Sequence, residues 1–138
     1  MNIPLKLGSQ SMVAHAMERA HTLEPSEAIA LHEKKGALFV DIREPHEIDI
    51  EGMIPGAVLV PRGTLEFRID PNSNFFWPVF EDERPLVLYC QLSSRSALAV
   101  VTLMDMGVKH VSHIGGGFSA WKDSGGPIQR RIIEQTER

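Results

Sequence analysis

"PLVLYCQLSSRSALAVVTLMDM", residues 85–106, is the stretch on which the reading of the whole chain turns. Its first part, 85–90, is short, rich in β-formers and almost continuously apolar, which is how a parallel strand buried on both faces reads. Its last part, 94–106, has the small and apolar residues and the length of a helix. Between them lies a very short polar turn. A strand that passes so directly into a helix is the repeating unit of an open α/β sheet, and Cys90 stands at the strand's carboxyl end, where such sheets bind ligands.

Outward from this stretch the same alternation continues. "ALFVDI" (37–42), "AVLVP" (57–61) and "HVSHI" (110–114) read as further buried strands. Helices are expected at 25–35, where Pro25 suits a first helical position and Gly36 a stop, and at 44–51, 63–69 and 117–124. Val13, Ala16, Met17 and Ala20 recur at helical spacing and give residues 1–23 the character of an N-terminal helical extension. The expected fold is α/β: an open, mainly parallel twisted sheet of about five strands with helices on both faces. The segment 70–85 carries prolines and an aromatic cluster, and reads as a long connection pinned by Phe75, Phe76 and Trp77. The charged tail 128–138 reads as a short terminal helix or a frayed end. With 138 residues, of which 43% are hydrophobic, the chain forms one domain, residues 1–138, around one core.

Charge and cysteine usage narrow the function. A formal charge of −4 leaves no basic footprint for nucleic acid or an anionic membrane surface. No apolar run approaches the roughly 18 residues of a membrane span, and residues 1–20 lack a secretory core, so a cytoplasmic protein is expected. The single cysteine excludes a disulfide within the chain and a thiolate-rich zinc site.

In the turn after Cys90, successive backbone N–H groups of Gln91, Leu92, Ser93, Ser94, Arg95 and Ser96 would converge as a nest, reinforced by the positive end of the following helix. Such a cradle holds an anion and favours a thiolate, the nucleophilic form of cysteine. Arg95 keeps its charge at any relevant pH, and its planar fork suits an oxyanion substrate. The hydroxyls of Ser93, Ser94 and Ser96 are potential donors to the sulfur. Asp41 and Arg43, after an earlier strand, face the same edge of the sheet and are expected to brace the loop by charge-assisted hydrogen bonds. Glu47, four residues after Arg43, is placed to pair with it along a helix turn. Arg62 follows a strand end and offers a second positive charge for a substrate anion.

These residues resemble the rhodanese-like domain family from about Pro25 to Ile128. "VDIREPHEIDIEGMIPGAVLVPRGTLEFRIDP" (40–71) is similar to its first signature, "YCQLSSRSALA" (89–99) to its active-site loop, and "GGFSAWKDSGGPI" (116–128) to its closing motif. The resemblance implies a sulfurtransferase that uses no metal and no organic cofactor. Cys90 would take sulfane sulfur from thiosulfate or a similar small anionic donor, hold it as a persulfide, and pass it to cyanide, a thiol or a sulfur-accepting protein. Arg95 would bind the donor. Two positions depart from the family pattern: Ser93 stands where glycine is common, which matters if that residue needs positive φ, and Met53 replaces a usual histidine.

Two other readings remain. "CQLSSR" is similar to the catalytic loop of dual-specificity phosphatases and arsenate reductases, with one residue fewer before the arginine. A phosphatase loop must encircle a whole phosphate, whereas four residues between Cys90 and Arg95 suit a ring around one sulfur atom. A non-catalytic rhodanese-like binding module is the other reading, and the presence of both Cys90 and Arg95 weighs against it. Phe118 and Trp121 read as core. His110 and His113, in the last strand, read as satisfied structural histidines.

Overall fold

The computed structural model describes residues 2–131. Five parallel strands form one sheet: β1 (His21–Leu23), β2 (Leu38–Asp41), β3 (Val58–Leu59), β4 (Leu86–Tyr89) and β5 (Val111–Ile114), in the order β1-β5-β4-β2-β3. The connections carry α1 (Ser9–Arg19), α2 (Pro25–Glu33), α3 (Pro45–Glu51), α4 (Leu65–Ile69), α5 (Ser94–Asp105) and α6 (Gly117–Asp123). This is the open parallel α/β sheet expected. Among the described residues no helix is long and apolar enough to cross a membrane.

Strand alternation divides the core in two. Leu38, Val40, Leu86, Leu88 and Cys90 point to a layer filled by Ala99, Val100 and Leu103 of α5 and Leu65 of α4. Phe39, Val87 and Tyr89 point to the opposite layer, with Ala28 of α2 and Phe118 and Trp121 of α6. Because side chains on a strand alternate with a period of two, each apolar run must supply both layers. That is why these strands read as continuously hydrophobic. Burying two large side chains such as Phe118 and Trp121 contributes roughly 1.5–3 kcal/mol apiece or more.

Helix starts follow local chemistry. At α2 and α3 proline occupies the first turn and a reciprocal capping box closes the N-terminus: Glu24 with Glu27, and Glu44 with Glu47.

Three expectations need correction. Residues 1–23 are not helical to their end, because α1 stops at Arg19 and His21–Leu23 pair with Ser112–Ile114 as an edge strand. The 70–85 connection is pinned by Trp77 and Phe80, while Phe75 is 60% exposed, so its neighbours took the packing role expected of it. His110 is exposed and precedes β5 rather than lying in it. The first part of the tail joins the body: Met53 and Gln129 exchange two backbone hydrogen bonds, and Arg131 bonds Asp49. Residues 132–138 of that tail lie outside the described residues.

Candidate active site

β4 is central in the sheet, flanked by β2 and β5, so the loop it feeds is approached from both sides. Cys90 follows Tyr89 at the carboxyl end of β4, and its side chain is buried. The Ser96 N–H, in the first turn of α5, points at Cys90 Sγ at 3.4 Å.

The peptide groups of the loop are sorted by direction. The Cys90 and Gln91 carbonyl oxygens accept the Phe118 and Ser119 N–H groups of α6 at 2.9 and 3.1 Å. Gly117 sits against this turn with φ of 60°, and a Cβ there would collide with the Cys90 and Leu92 carbonyl oxygens, so only glycine fits. With carbonyls committed to α6, the N–H groups are left on the opposite side. Among the described residues those of Gln91 to Arg95 meet no acceptor. This is the nest geometry that attracts an anion. Ser94 is exposed, and Leu92 presents a 63% exposed side chain at the loop tip.

Ser93 has a φ of −150° with a ψ of −20°, so this position does not need the positive φ that would call for glycine. Its hydroxyl accepts the Gly116 N–H at 2.8 Å and ties the loop to the chain after β5.

Arg43 is fully buried. It donates to Asp41 through its backbone N–H and through Nε and Nη2, to the Gly52 carbonyl through Nη2 at 2.8 Å, and to Gln91 Oε1 through Nη1 at 3.0 Å. The guanidinium lies 4.3 Å from the Phe118 ring centroid. Burial opposes its charge, yet the Asp41 carboxylate, with smaller contributions from Tyr89 and Glu47, offsets this and holds the Arg43 pKa above its usual value. Gln91 passes the contact on through Nε2 to Ser119 Oγ at 3.0 Å. Asp41 and Arg43 therefore meet the loop at Gln91.

Arg95 and Arg62 are not aimed as the sequence suggested. Arg95 grips Glu47 with both terminal nitrogens, at 2.9 and 2.8 Å, and its side chain is 40% exposed. The bonds from Arg95 are the main cause that brings the Glu47 carboxyl down to about 2. Glu47 thus pairs with Arg95, across elements, rather than with Arg43 along its own helix. Arg62 donates to Glu66 and to Thr102, the latter well along α5 and away from the loop. Met53 is buried and contributes its backbone to the Gln129 bridge.

His113 joins the site from β5. It is buried, and its ring nitrogens bond the Ser96 hydroxyl at 2.8 Å and the Thr22 hydroxyl at 2.9 Å. Gly117 and His113 are the residues that sequence reasoning did not place here. The run of glycines at 115–117 was the available signal for the first, and the second gave none beyond alternation in its strand.

Comparison with known proteins adds the family. The model of the rhodanese-like domain matches residues 24–124. A sulfurtransferase of Allochromatium vinosum is 35% identical over 98 residues, covering 71% of this chain and 83% of that protein. A solved structure from Rhodopseudomonas palustris, of a protein of unknown function described as a possible tyrosine phosphatase, is 45% identical with a TM-score of 0.89, covering 94% of this chain and 99% of the other. The human single-domain sulfurtransferase TSTD1 is 25% identical with a TM-score of 0.64, covering 75% and 96%.

Proposed function

The chain belongs to the rhodanese-like domain family, and on that premise we propose that it is a sulfurtransferase working through a persulfide on Cys90. The observation that carries this reading is the sorted loop: a buried Sγ touched by the Ser96 N–H, within a turn whose next five N–H groups have no acceptor among the described residues. The Cys90 thiolate attacks the outer sulfur of a sulfane donor. A new S–S bond forms, the donor's own S–S bond breaks, and its electron pair departs with the leaving group, sulfite in the case of thiosulfate. The outer persulfide sulfur then stands about 2 Å beyond Sγ, within the ring of N–H dipoles. An acceptor thiolate or cyanide attacks that sulfur and returns Cys90 to the thiolate. Each step moves one sulfur atom and one electron pair, so neither metal nor second cysteine is called for.

Arg95 enters this mechanism with its charge balanced by Glu47, so the N–H groups do most of the anion binding and Arg95 holds the first turn of α5 against α3. The same pairing argues against phosphate ester cleavage. That reaction asks the loop arginine to lie over the phosphate, and the loop here is one residue shorter than a phosphatase loop.

The test is the intact mass of the protein after incubation with thiosulfate or glutathione persulfide. A gain of about 32 Da that dithiothreitol removes is expected, and the Cys90→Ser variant is expected to show neither adduct nor turnover. A wild-type protein that takes up no sulfur from either donor while Cys90 still alkylates would overturn the proposal and bring the phosphatase reading forward.

A further inference from the structure

His113 lies directly beneath the turn into α5, and the hydrogen positions around it follow from counting donors. The Ser96 hydroxyl has one proton, which it gives to the Ser93 carbonyl at 3.1 Å. It must then accept at its 2.8 Å contact with His113, so Nδ1 carries the ring proton. In a neutral ring Nε2 is then the acceptor, and the Thr22 hydroxyl donates to it at 2.9 Å. The protons run one way, from Thr22 on β1 through His113 on β5 and Ser96 to Ser93. Burial, with a smaller contribution from His21, brings the His113 pKa down to about 4, which keeps the ring neutral at physiological pH.

The last two links of this chain, Ser96 and Ser93, belong to the nucleophile's loop. Ser96 is the residue whose N–H touches Cys90 Sγ, and Ser93, whose carbonyl takes the Ser96 proton, also accepts the Gly116 N–H and the Ala97 N–H. A donor at the Nδ1 position therefore fixes the hydroxyl of Ser96, and with it the turn that aims the Ser96 N–H.

We propose that His113 is a positioning residue for Cys90: as the Nδ1–H tautomer, and through Ser96, it holds the first turn of α5 with its N–H aimed at the sulfur. His113 touches neither substrate nor sulfur, and its action is mechanical. The proposal concerns the state of Cys90 itself and also bears on the sulfur transfer proposed above, on which its kinetic consequence rests.

Two substitutions test it. Asparagine at 113 places an amide N–H near the Nδ1 position, whereas leucine fills the space without a donor. The second-order rate of Cys90 alkylation at pH 7.5 is expected to fall about tenfold in His113→Leu, and to recover most of that loss in His113→Asn. Single-turnover persulfide formation should follow the same order. In the wild-type protein, ring-nitrogen NMR signals should show Nδ1 protonated and Nε2 not. Circular dichroism and thermal melts identify variants that fold. Should His113→Leu prove unable to fold, Ser96→Ala, which removes the acceptor of the same bond, is expected to show the tenfold loss instead. A folded His113→Leu with wild-type alkylation, an equal loss in leucine and asparagine variants, or an Nε2-protonated ring would overturn the proposal. Alkylation needs no sulfur donor, so an inert protein in the sulfur-uptake experiment refutes the transferase reading and leaves this inference to be judged by alkylation alone.

Discussion

On the β2 side of the active-site loop, Gln91 is held by Arg43 and Asp41, a buried ion pair with a stacked aromatic ring; on the β5 side, Ser96 is held by His113 and Thr22, a buried chain with no formal charge. The two braces come from the two strands that flank β4 and meet its loop at opposite ends. Their chemistry makes them vulnerable to different insults. An ion pair out of water depends on both members, because removing one leaves an uncompensated buried charge. A neutral imidazole depends on staying neutral, and acid is what breaks it.

The largest effect is expected from the charged side. Arg43→Met strands Asp41 and should lower unfolding free energy by about 3–5 kcal/mol, measured by denaturant titration. Replacing the pair together, Asp41→Leu with Arg43→Met, should recover much of that stability while leaving Gln91 without its Nη1 donor. A single variant as stable as the wild type would mean that the pair contributes no more than an apolar filler.

The neutral side should show itself in acid. His113 titrates at about 4 in the folded chain against an ordinary 6.5, so the unfolded chain binds the proton first as pH falls. Its contribution is complete above pH 6.5, declines as pH drops toward 4, and is constant below that. The size is up to about 3 kcal/mol at roughly 1.36 kcal/mol per pKa unit. Glu47, with its carboxyl at about 2 against 4.5, acts in a lower window: its contribution is complete above pH 4.5 and lost as pH falls toward 2. Unfolding measured across pH should therefore lose stability in two stages, and His113→Asn should lack the first. A single loss confined to pH below 4.5 in the wild type would remove the distinction between the braces.

The smallest effect is expected where the loop is tied to the end of β5 by one hydroxyl. Ser93→Gly removes the 2.8 Å bond to the Gly116 N–H and adds backbone freedom to the unfolded chain, at a cost of about 1–2 kcal/mol. A stabilised glycine variant would show that Ser93 is strained after all, contrary to its φ of −150°.

How far these features could be read in advance depended on how local their causes are. The strand and helix around Cys90 were legible because apolar runs and helical spacing are written in adjacent residues. The Asp41 and Arg43 brace was legible in part, since both follow one strand and face one edge. A spacing of four residues points Glu47 to Arg43, but Arg43 is drawn inward to Asp41, Gly52 and Gln91, which leaves Glu47 to Arg95. Arg62 likewise had the right address after a strand and the wrong direction, toward Thr102. The strand β1 leaves no periodic signal because it has three residues, of which only Leu23 is buried.

What the sequence determined by itself was the order of the helices and of the strands other than β1, the place of the nucleophile at a strand end, and the turn in which backbone N–H groups gather, because these depend on side-chain periodicity and on residues within one short segment. Which cation faces which carboxylate, which of two histidines in neighbouring positions goes inside, and where Thr22 meets His113 were decided only by the tertiary structure. Those contacts join residues 48 and 91 positions apart. Side-chain direction over such separations is set by strand register and by competition among partners, and neither is written in any local stretch of the chain.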